Sequence, residues 1–304
     1  MPILKTLLNP VRVVLAFFAL VPLSCGGPTT IATVPSGRPL SSTAPADVRG
    51  EKPFLFIQAG DPQIGGWTTI QDTKDRLVKL AHICNEIQPA FVVMVGDLVN
   101  DGPHPAQLAA FDEALAEFRV PVKLICGNHD DLATYRRKYG KDWYGFTRNN
   151  CEFICVNSDL WARFGNSPER RGDIAEQWAF LEQALADARK QGRSHIFLVM
   201  HHTPELVPLA VKRLDELMDR YGVEVVLCGH LHRTIEYCRK GRAVFTVAGT
   251  GWAGDKRGFG YRVFKVYPDR IEQEYLTLDV PVEKVRALLN ITTQPTTPSV
   301  RDGG

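Results

Sequence analysis

The chain predicts an α/β sandwich of mixed sheets, on three observations. Five short apolar runs each end in a polar, potentially reactive segment, apolar residues at helical spacing fill most of the intervals between them, and two stretches carry antiparallel signals. The 304 residues are 44% hydrophobic and 23% charged, an ordinary globular composition that excludes disorder throughout. Lys5 and Arg12 are two of the 36 cations and no anion precedes Cys25, so the remainder balances its cations against all 34 anions. A zero balance gives no support to a protein that wraps nucleic acid, and no nucleic-acid partner is expected.

In chain order, the first element is a leader. Residues 1–24 carry Lys5 and Arg12 and then an uncharged run from Val13 to Ser24. That run falls short of the ~20 apolar residues that span a bilayer and contains Pro22, but it fits the core of a signal peptide, ~7 to 15 residues. Export is expected. Cys25, Gly26 and Gly27 follow at once, which resembles the bacterial lipoprotein pattern, although Pro22 stands where that pattern normally has Leu. The mature chain is then either lipid-anchored to the cell envelope through Cys25, its only expected membrane contact, or secreted. Residues 25–50 are rich in Gly, Pro, Ser, Thr and Ala without an apolar period, and are expected to be a flexible tether. About 230 residues, 51–280, remain for one large domain, followed by a C-terminal helix and partly disordered tail over 281–304.

Within that domain PFLFIQAGDPQ, FVVMVGDLVND, VKLICGNHDD, IFLVMHHTP and EVVLCGHLH read as strands covered on both faces. TIQDTKDRLVKLAHICNEI is helical, with Leu77, Leu80, Ala81 and Cys84 on one face, and AQLAAFDEALAEF, IAEQWAFLEQALADARKQG and VKRLDELMDRYG have the same spacing. WYGFTRNNCEFICVNSD is a hairpin around Asn149 and Asn150, and RAVFTVAG with YRVFKVYPDRIEQEYLTL reads as antiparallel strands. Cys126 and Cys228 end apolar runs and suit buried thiols better than disulfides, and no CxxC or Cys/His ladder suggests structural zinc.

All five runs end in metal-ligand chemistry: Asp61 and Gln63, Asp97, Asn128 with His129, His201 with His202, and His230 with His232. Five of the eight histidines fall there, a concentration that scattered core histidines would not produce. Carboxylate, amide and imidazole donors without thiolate suit Mn, Fe or Zn. Seven ligands are too many for one open ion and suit two that share a carboxylate and clamp the attacking and leaving oxygens of a phosphoryl displacement.

The ordered set GDPQ, GDLVND, GNHDD, HHTP and GHLH resembles the calcineurin-like metallophosphoesterase superfamily from about Pro53 to Leu278. The DPQxG form is similar to the branch containing calcineurin-like phosphoesterase domain-containing protein 1, a branch associated with protein phosphatase activity. The resemblance implies a four-layer α/β/β/α sandwich and two divalent or mixed-valence ions, one held by Asp61, Gln63, Asp97 and His232, the other by Asp97, Asn128, His201 and His230. It implies hydrolysis by in-line attack of a metal-bridging hydroxide, with His129 either protonating the leaving oxygen or stabilising charge on the phosphoryl group. Gln63 stands where the family usually has His. Asn100 stands where protein phosphatases of the superfamily have the Asp that orients the catalytic His; Asp101 or Asp130 is near enough in sequence to substitute. The Arg that normally follows in those protein phosphatases is also missing, which leaves the phosphate clamp unassigned.

Substrate choice is expected between Asp130 and Ile196, where Arg136 and Arg163 offer cations and Trp143, Tyr144 and Trp161 aromatic faces, although Trp143 and Tyr144 equally suit packing of the hairpin. His202 is either a support or substrate-facing group or a solvent-exposed neighbour, and GTGW at Gly249–Trp252 sits where a rim loop would be. The expected function is an exported phosphomonoesterase, with phosphoprotein among its substrates. A phosphodiesterase for cyclic nucleotides or other small diesters is the alternative, and a surface binding protein without turnover is a third reading. Nothing in the sequence sets the oligomeric state.

Overall fold

Alternation in β2 (Phe54–Ala59) builds two cores at once. Successive strand residues face opposite ways, so Phe54 and Phe56 enter an aromatic core between two sheets while Ile57 and Ala59 face a layer of helices. The computed structural model describes residues 32–34, 52–165 and 167–289. Cys25, the expected signal peptide and the end of the tail lie outside the described residues.

The first sheet holds, in spatial order, β1 (Ala32–Val34), β12 (Ile271–Thr277), β11 (Gly260–Val266), β2, β3 (Val92–Met94) and β4 (Val122–Leu124). The second holds β5 (Tyr144–Arg148), β6 (Cys151–Cys155), β7 (His195–Val199), β8 (Val225–Cys228), β10 (Arg242–Thr246) and β9 (Glu236–Arg239). β2, β3 and β4 are parallel, as are β6, β7, β8 and β10, and antiparallel strands complete both sheets. Helices α1 (Ile70–Ile87), α2 (Pro105–Ala116) and α7 (Val282–Leu288) cover the first sheet through Leu77, Leu80, Phe111 and Val285. α5 (Arg171–Lys190) and α6 (Val211–Tyr221) cover the second through Leu181, Leu185, Leu214 and Leu217. The expected four layers are therefore present. α1 starts where Thr69 Oγ accepts from Asp72 N–H and stops at left-handed Gln88, so its length follows from its caps.

The sheets are joined by stacked phenylalanines and two polar clips. Phe56 lies 4.7 Å from Phe264 and Phe153 lies 4.4 Å from Phe197, with Phe56 edge-on to Phe153 across the gap. Gln58 of β2 donates to the carbonyls of Cys228 and Phe245, and Arg262 of β11 donates to that of Thr246, which ties the first sheet to β8 and β10. These clips fix the carboxyl end of β2 and the neighbouring amino end of antiparallel β11 against the carboxyl ends of β8 and β10.

Several features differ from the sequence reading. Ala32–Val34, inside the segment read as a tether, pairs with Ile271–Gln273, because the edge of β12 offers an unpaired backbone that a short β-branched stretch can satisfy. β10 is not antiparallel to the C-terminal strands. It lies parallel to β8, because Lys240 and Gly241, both at positive φ, fold it back on β9 as a hairpin in the second sheet. Two short helices, α3 (Leu132–Tyr139) and α4 (Asp159–Ala162), occupy the segment read only as a substrate region; Asp131 caps α3 by accepting from Thr134 N–H. Cys84, Cys126, Cys155 and Cys228 are buried thiols, and Cys238 is exposed.

At the opposite end of the strands from the ligand motifs, His195 Nδ1 faces Glu224 Oε2 at 2.7 Å and Nε2 faces the Tyr267 carbonyl at 2.9 Å. Both partners only accept, so the geometry suits an imidazolium that donates twice. Burial alone would lower the His195 pKa, but Glu224 and the Tyr267 carbonyl raise it above the ordinary value. A raised folded-state pKa gives stability that is fully present below the unfolded value, ~6.5, and is lost as pH rises through the folded value. His195→Gln should therefore cost about 1–2 kcal/mol at pH 6 and less at pH 9. Urea unfolding of both proteins across that range is the check; a pH-independent difference would mean that the folded ring is neutral.

Candidate metal centre

The ligand-bearing turns follow β2, β3, β4, β7 and β8, and the seam between the sheets brings them together. Asp61, Gln63, Asp97, His230 and His232 all have φ between 40° and 65°. For residues with a Cβ this left-handed backbone costs on the order of 1 kcal/mol each, and such strain concentrates where a side chain must be aimed. Glycines ahead of Asn128 and His230 allow the turns to meet. A Cβ on Gly127 would lie 2.2 Å from Asp97 Oδ1, and one on Gly229 would lie 2.6 Å from Asp61 Oδ2.

Two groups of donors result, and they share one carboxylate. Asp97, His201 and His230 form one, and Asp61, Asp97 and His232 the other, with ligand atoms within 4.8 Å of one another in each. His201 Nε2 is 3.2 Å from Asp97 Oδ2, and the Asn128 side-chain oxygen is 3.0 Å from His201 Nε2 and 2.8 Å from His230 Nδ1. All seven sequence-expected ligands thus lie around this seam. His201 and His232 each donate Nδ1–H to a backbone carbonyl, of Val95 and Trp252 respectively, which leaves Nε2 pointing inward, the orientation expected of a ligand imidazole.

The donor set fits two cations. Asp61 Oδ2 and Gln63 Oε1 are buried with no hydrogen-bond partner, a cost of about 1–3 kcal/mol for each such group that bound cations would remove. Gln63 supplies an oxygen because its amide nitrogen is engaged, donating to Asn100 Oδ1 at 3.2 Å. Among the protein groups alone the charge is also unbalanced. Burial pushes Asp61 up to about 8, against the pull of His201 and with the repulsion of Asp97. Burial acts on Asp97 in the same sense, yet His201 holds it well below the ordinary carboxylate range. Burial would lower His201, but Asp97 and Asp61 raise it to about 10.

His129 stands at the edge of this cluster. Its backbone N–H donates to Asp97 Oδ1, and its Nδ1–H donates to the main-chain carbonyl of Asn100 at 2.8 Å, so Nε2 is left to face solvent. The orienting group is therefore the Asn100 backbone, whereas its side chain serves Gln63. Neither Asp101 nor Asp130 takes the place of the missing Asp. Asp130 instead accepts from Leu98, Val99 and Gly127 N–H, which pins the two loops together.

The expected substrate contacts separate. Arg163 reaches the site, donating to the Asn128 carbonyl and to Asp159, and lines a cleft of about 350 Å³ with Asn100, His129, Asp131 and Arg170. Arg136 is a correction: buried Asp142 and partly exposed Asp173 hold its guanidinium, and it is absent from the cleft. Arg170 is the second cation there, and no motif or spacing marks it in the sequence. His202 is no solvent-exposed neighbour. It is buried beside His230 with Nδ1 on Ser158 Oγ, and burial together with the charge of His201 takes it down to about 2, so it stays neutral. Trp143 is buried in the core on the helix side of the first sheet and Tyr144 packs against the aromatic core between the sheets, which favours packing for both.

Residues 48–234 match the calcineurin-like phosphoesterase family model. Over 272 residues the chain is 26% identical to serine/threonine-protein phosphatase CPPED1 of Danio rerio, an alignment covering 75% of this chain and 85% of that protein. It is also 26% identical over 224 residues to 3',5'-cyclic adenosine monophosphate phosphodiesterase CpdA of Escherichia coli strain K12, covering 64% of this chain and 72% of the other. A crystal structure of a dimetal phosphatase from Danio rerio shares the fold at a TM-score of 0.61 and 14% identity, over 74% of this chain and 99% of that one.

Proposed function

Because this chain belongs to the calcineurin-like phosphoesterase family, a family of metal-dependent phosphoester hydrolases, we propose that it is an exported phosphatase that prefers phosphomonoesters, phosphoprotein among them. The observation that carries the reading is the pair of donor groups joined at Asp97. On it, Asp61, Gln63, Asp97 and His232 hold one ion of Mn, Fe or Zn, and Asp97, Asn128, His201 and His230 hold a second. When bound, the two ions supply Lewis-acid stabilisation of the phosphoryl oxygens and activate the attacking water.

The chain's own groups do the rest. In its imidazolium form His129 gives its Nε2 proton to the leaving oxygen or stabilises charge on the phosphoryl group, while the Asn100 carbonyl accepts from Nδ1–H and so aims Nε2 outward. Arg163 and Arg170 line the cleft beside His129 and supply cations for a dianionic group, in place of the protein-phosphatase Arg that the sequence lacks. Arg163 also steadies Asn128 through its carbonyl. The similarity to CPPED1 supports a phosphoprotein substrate. The similarity to CpdA favours a second reading, a small cyclic or linear diester. Export, with Cys25 as the first residue of the mature chain, is supported by the charge and apolar pattern of residues 1–24.

Asp97→Ala should remove both ions and turnover together, whereas His129→Ala should slow turnover by about 10²–10⁴-fold with both ions retained. Metal analysis beside steady-state rates checks both, and two metal equivalents in Asp97→Ala would overturn the shared-carboxylate reading. The kcat/KM for p-nitrophenyl phosphate should exceed that for bis-p-nitrophenyl phosphate and for cyclic AMP by about tenfold, or about 1.4 kcal/mol; the reverse order establishes the diesterase reading. Intact mass measurement of protein made in a bacterial host should give a chain starting at Cys25. A retained Met1 rules out processing, and cleavage elsewhere without lipid rejects the anchor.

A further inference from the structure

Two tryptophans beside the donor group of Asp61, Asp97 and His232 have no place in the chemistry above. Trp67, in the turn after Gln63, is 71% exposed. Its ring stacks on that of Trp252, with centroids 4.8 Å apart and planes 22° from parallel, and Trp252 in turn meets the His232 ring at 4.9 Å. An exposed tryptophan usually owes its position to chance, but this pair is built in. Thr250 and Gly251 N–H donate to the carbonyls of Gly60 and Asp61, Arg76 donates to the Gly251 carbonyl, and the Trp252 carbonyl accepts from His232 Nδ1–H. A Cβ on Gly251 would lie 2.1 Å from the Pro62 carbonyl oxygen, so the loop that carries Trp252 lies directly on the backbone of the first ligand motif. Trp67 reaches its partner from a backbone at φ 62°, a strained conformation for an aromatic residue.

The result is a rigid indole pair fixed to the ligand turns, with much of the Trp67 surface open to solvent. Little side-chain freedom remains to be lost when a flat ring settles on it, and indole surfaces accept aromatic rings whatever their hydrogen-bonding edges. Taking the site as the phosphoester centre described above, we propose that Trp67 and Trp252 form a stacking subsite for a planar aromatic group carried by the substrate, either a nucleobase or an aryl group. Phosphorus then lies at the donor groups and the ring beside His232, while the cationic cleft takes the phosphoryl oxygens, so that of the two roles given to His129 this placement uses stabilisation of charge on the phosphoryl group.

Two substrate pairs that differ in one aromatic group test this with the full-length protein: adenosine 5'-monophosphate against ribose 5-phosphate, and phenyl phosphate against glycerol 2-phosphate. In the wild type the aromatic member of at least one pair should have a kcat/KM about tenfold higher. Trp67→Ala should collapse that ratio through KM, and Trp67→Phe should largely restore it. Collapse in the first pair alone identifies a nucleobase, and in the second alone an aryl group. Equal ratios in wild type and Trp67→Ala overturn the subsite. Tryptophan fluorescence titrated with phenylphosphonate and methylphosphonate gives a readout without turnover: tighter binding of the aryl compound, lost in Trp67→Ala, supports the subsite, and equal binding opposes it. A wild type that quenches selectively yet hydrolyses none of the four esters keeps the subsite and overturns the monoesterase reading.

Discussion

Two carboxylates, Asp61 and Asp97, are confined in a dry seam between two sheets, and the surrounding structure answers that confinement. Neither is solvated, and each raises the energy of the other's charge. A buried carboxylate persists only where hydrogen bonds or positive charge compensate for lost water. Backbone N–H groups of His129 and His230 and the imidazole of His201 supply part of the compensation. The orphaned oxygens of Asp61 and Gln63 show that part is still owed to cations. The same preorganisation that is costly for the protein alone favours binding of two ions and, through them, of a phosphoryl group.

Holding the carboxylates there requires the rest of the fold. The stacked phenylalanines set the spacing of the sheets, and Gln58 and Arg262 lock the ligand-side edge of the first sheet against the carboxyl ends of β8 and β10. Asp130 ties the second and third ligand loops by three backbone hydrogen bonds. The left-handed turns are then held by contacts on several sides, so that strain is stored at the ligand positions without relaxing. Removal of any one clip would loosen donors that come from both sheets.

The surroundings of the centre are unlike on its two flanks. Near His129 the cleft is lined by Arg163 and Arg170, suited to anionic oxygens. Near His232 the surface is indole, suited to a flat apolar group. This division gives the site a direction along which an ester can be oriented, independent of the chemistry at phosphorus.

The sequence by itself determined most strands and helices and the full set of candidate ligands, because apolar runs ending in Asp, Asn and His are local patterns that survive without knowledge of what packs where. It also carried the hairpin at Asn149 and Asn150. It left open where His202 sits and which cations face the centre, since those depend on rotations and contacts between segments far apart in the chain. Arg136 and Arg163 look alike as sequence, yet Asp142 and Asp173 hold the first and the Asn128 carbonyl receives the second. Asn100 stands at the place of an orienting side chain, and only tertiary packing shows that its carbonyl orients His129 while its amide oxygen orients Gln63. The strand β10 joined the second sheet for the same reason, as its partner was chosen by a two-residue turn and by the sheet already formed. Trp67 and Trp252, 185 residues apart, become one surface only when the loop after β10 lies on the turn after β2. Side-chain identity fixes what a group can do; the direction in which it is aimed comes from long-range contacts that no local spacing encodes.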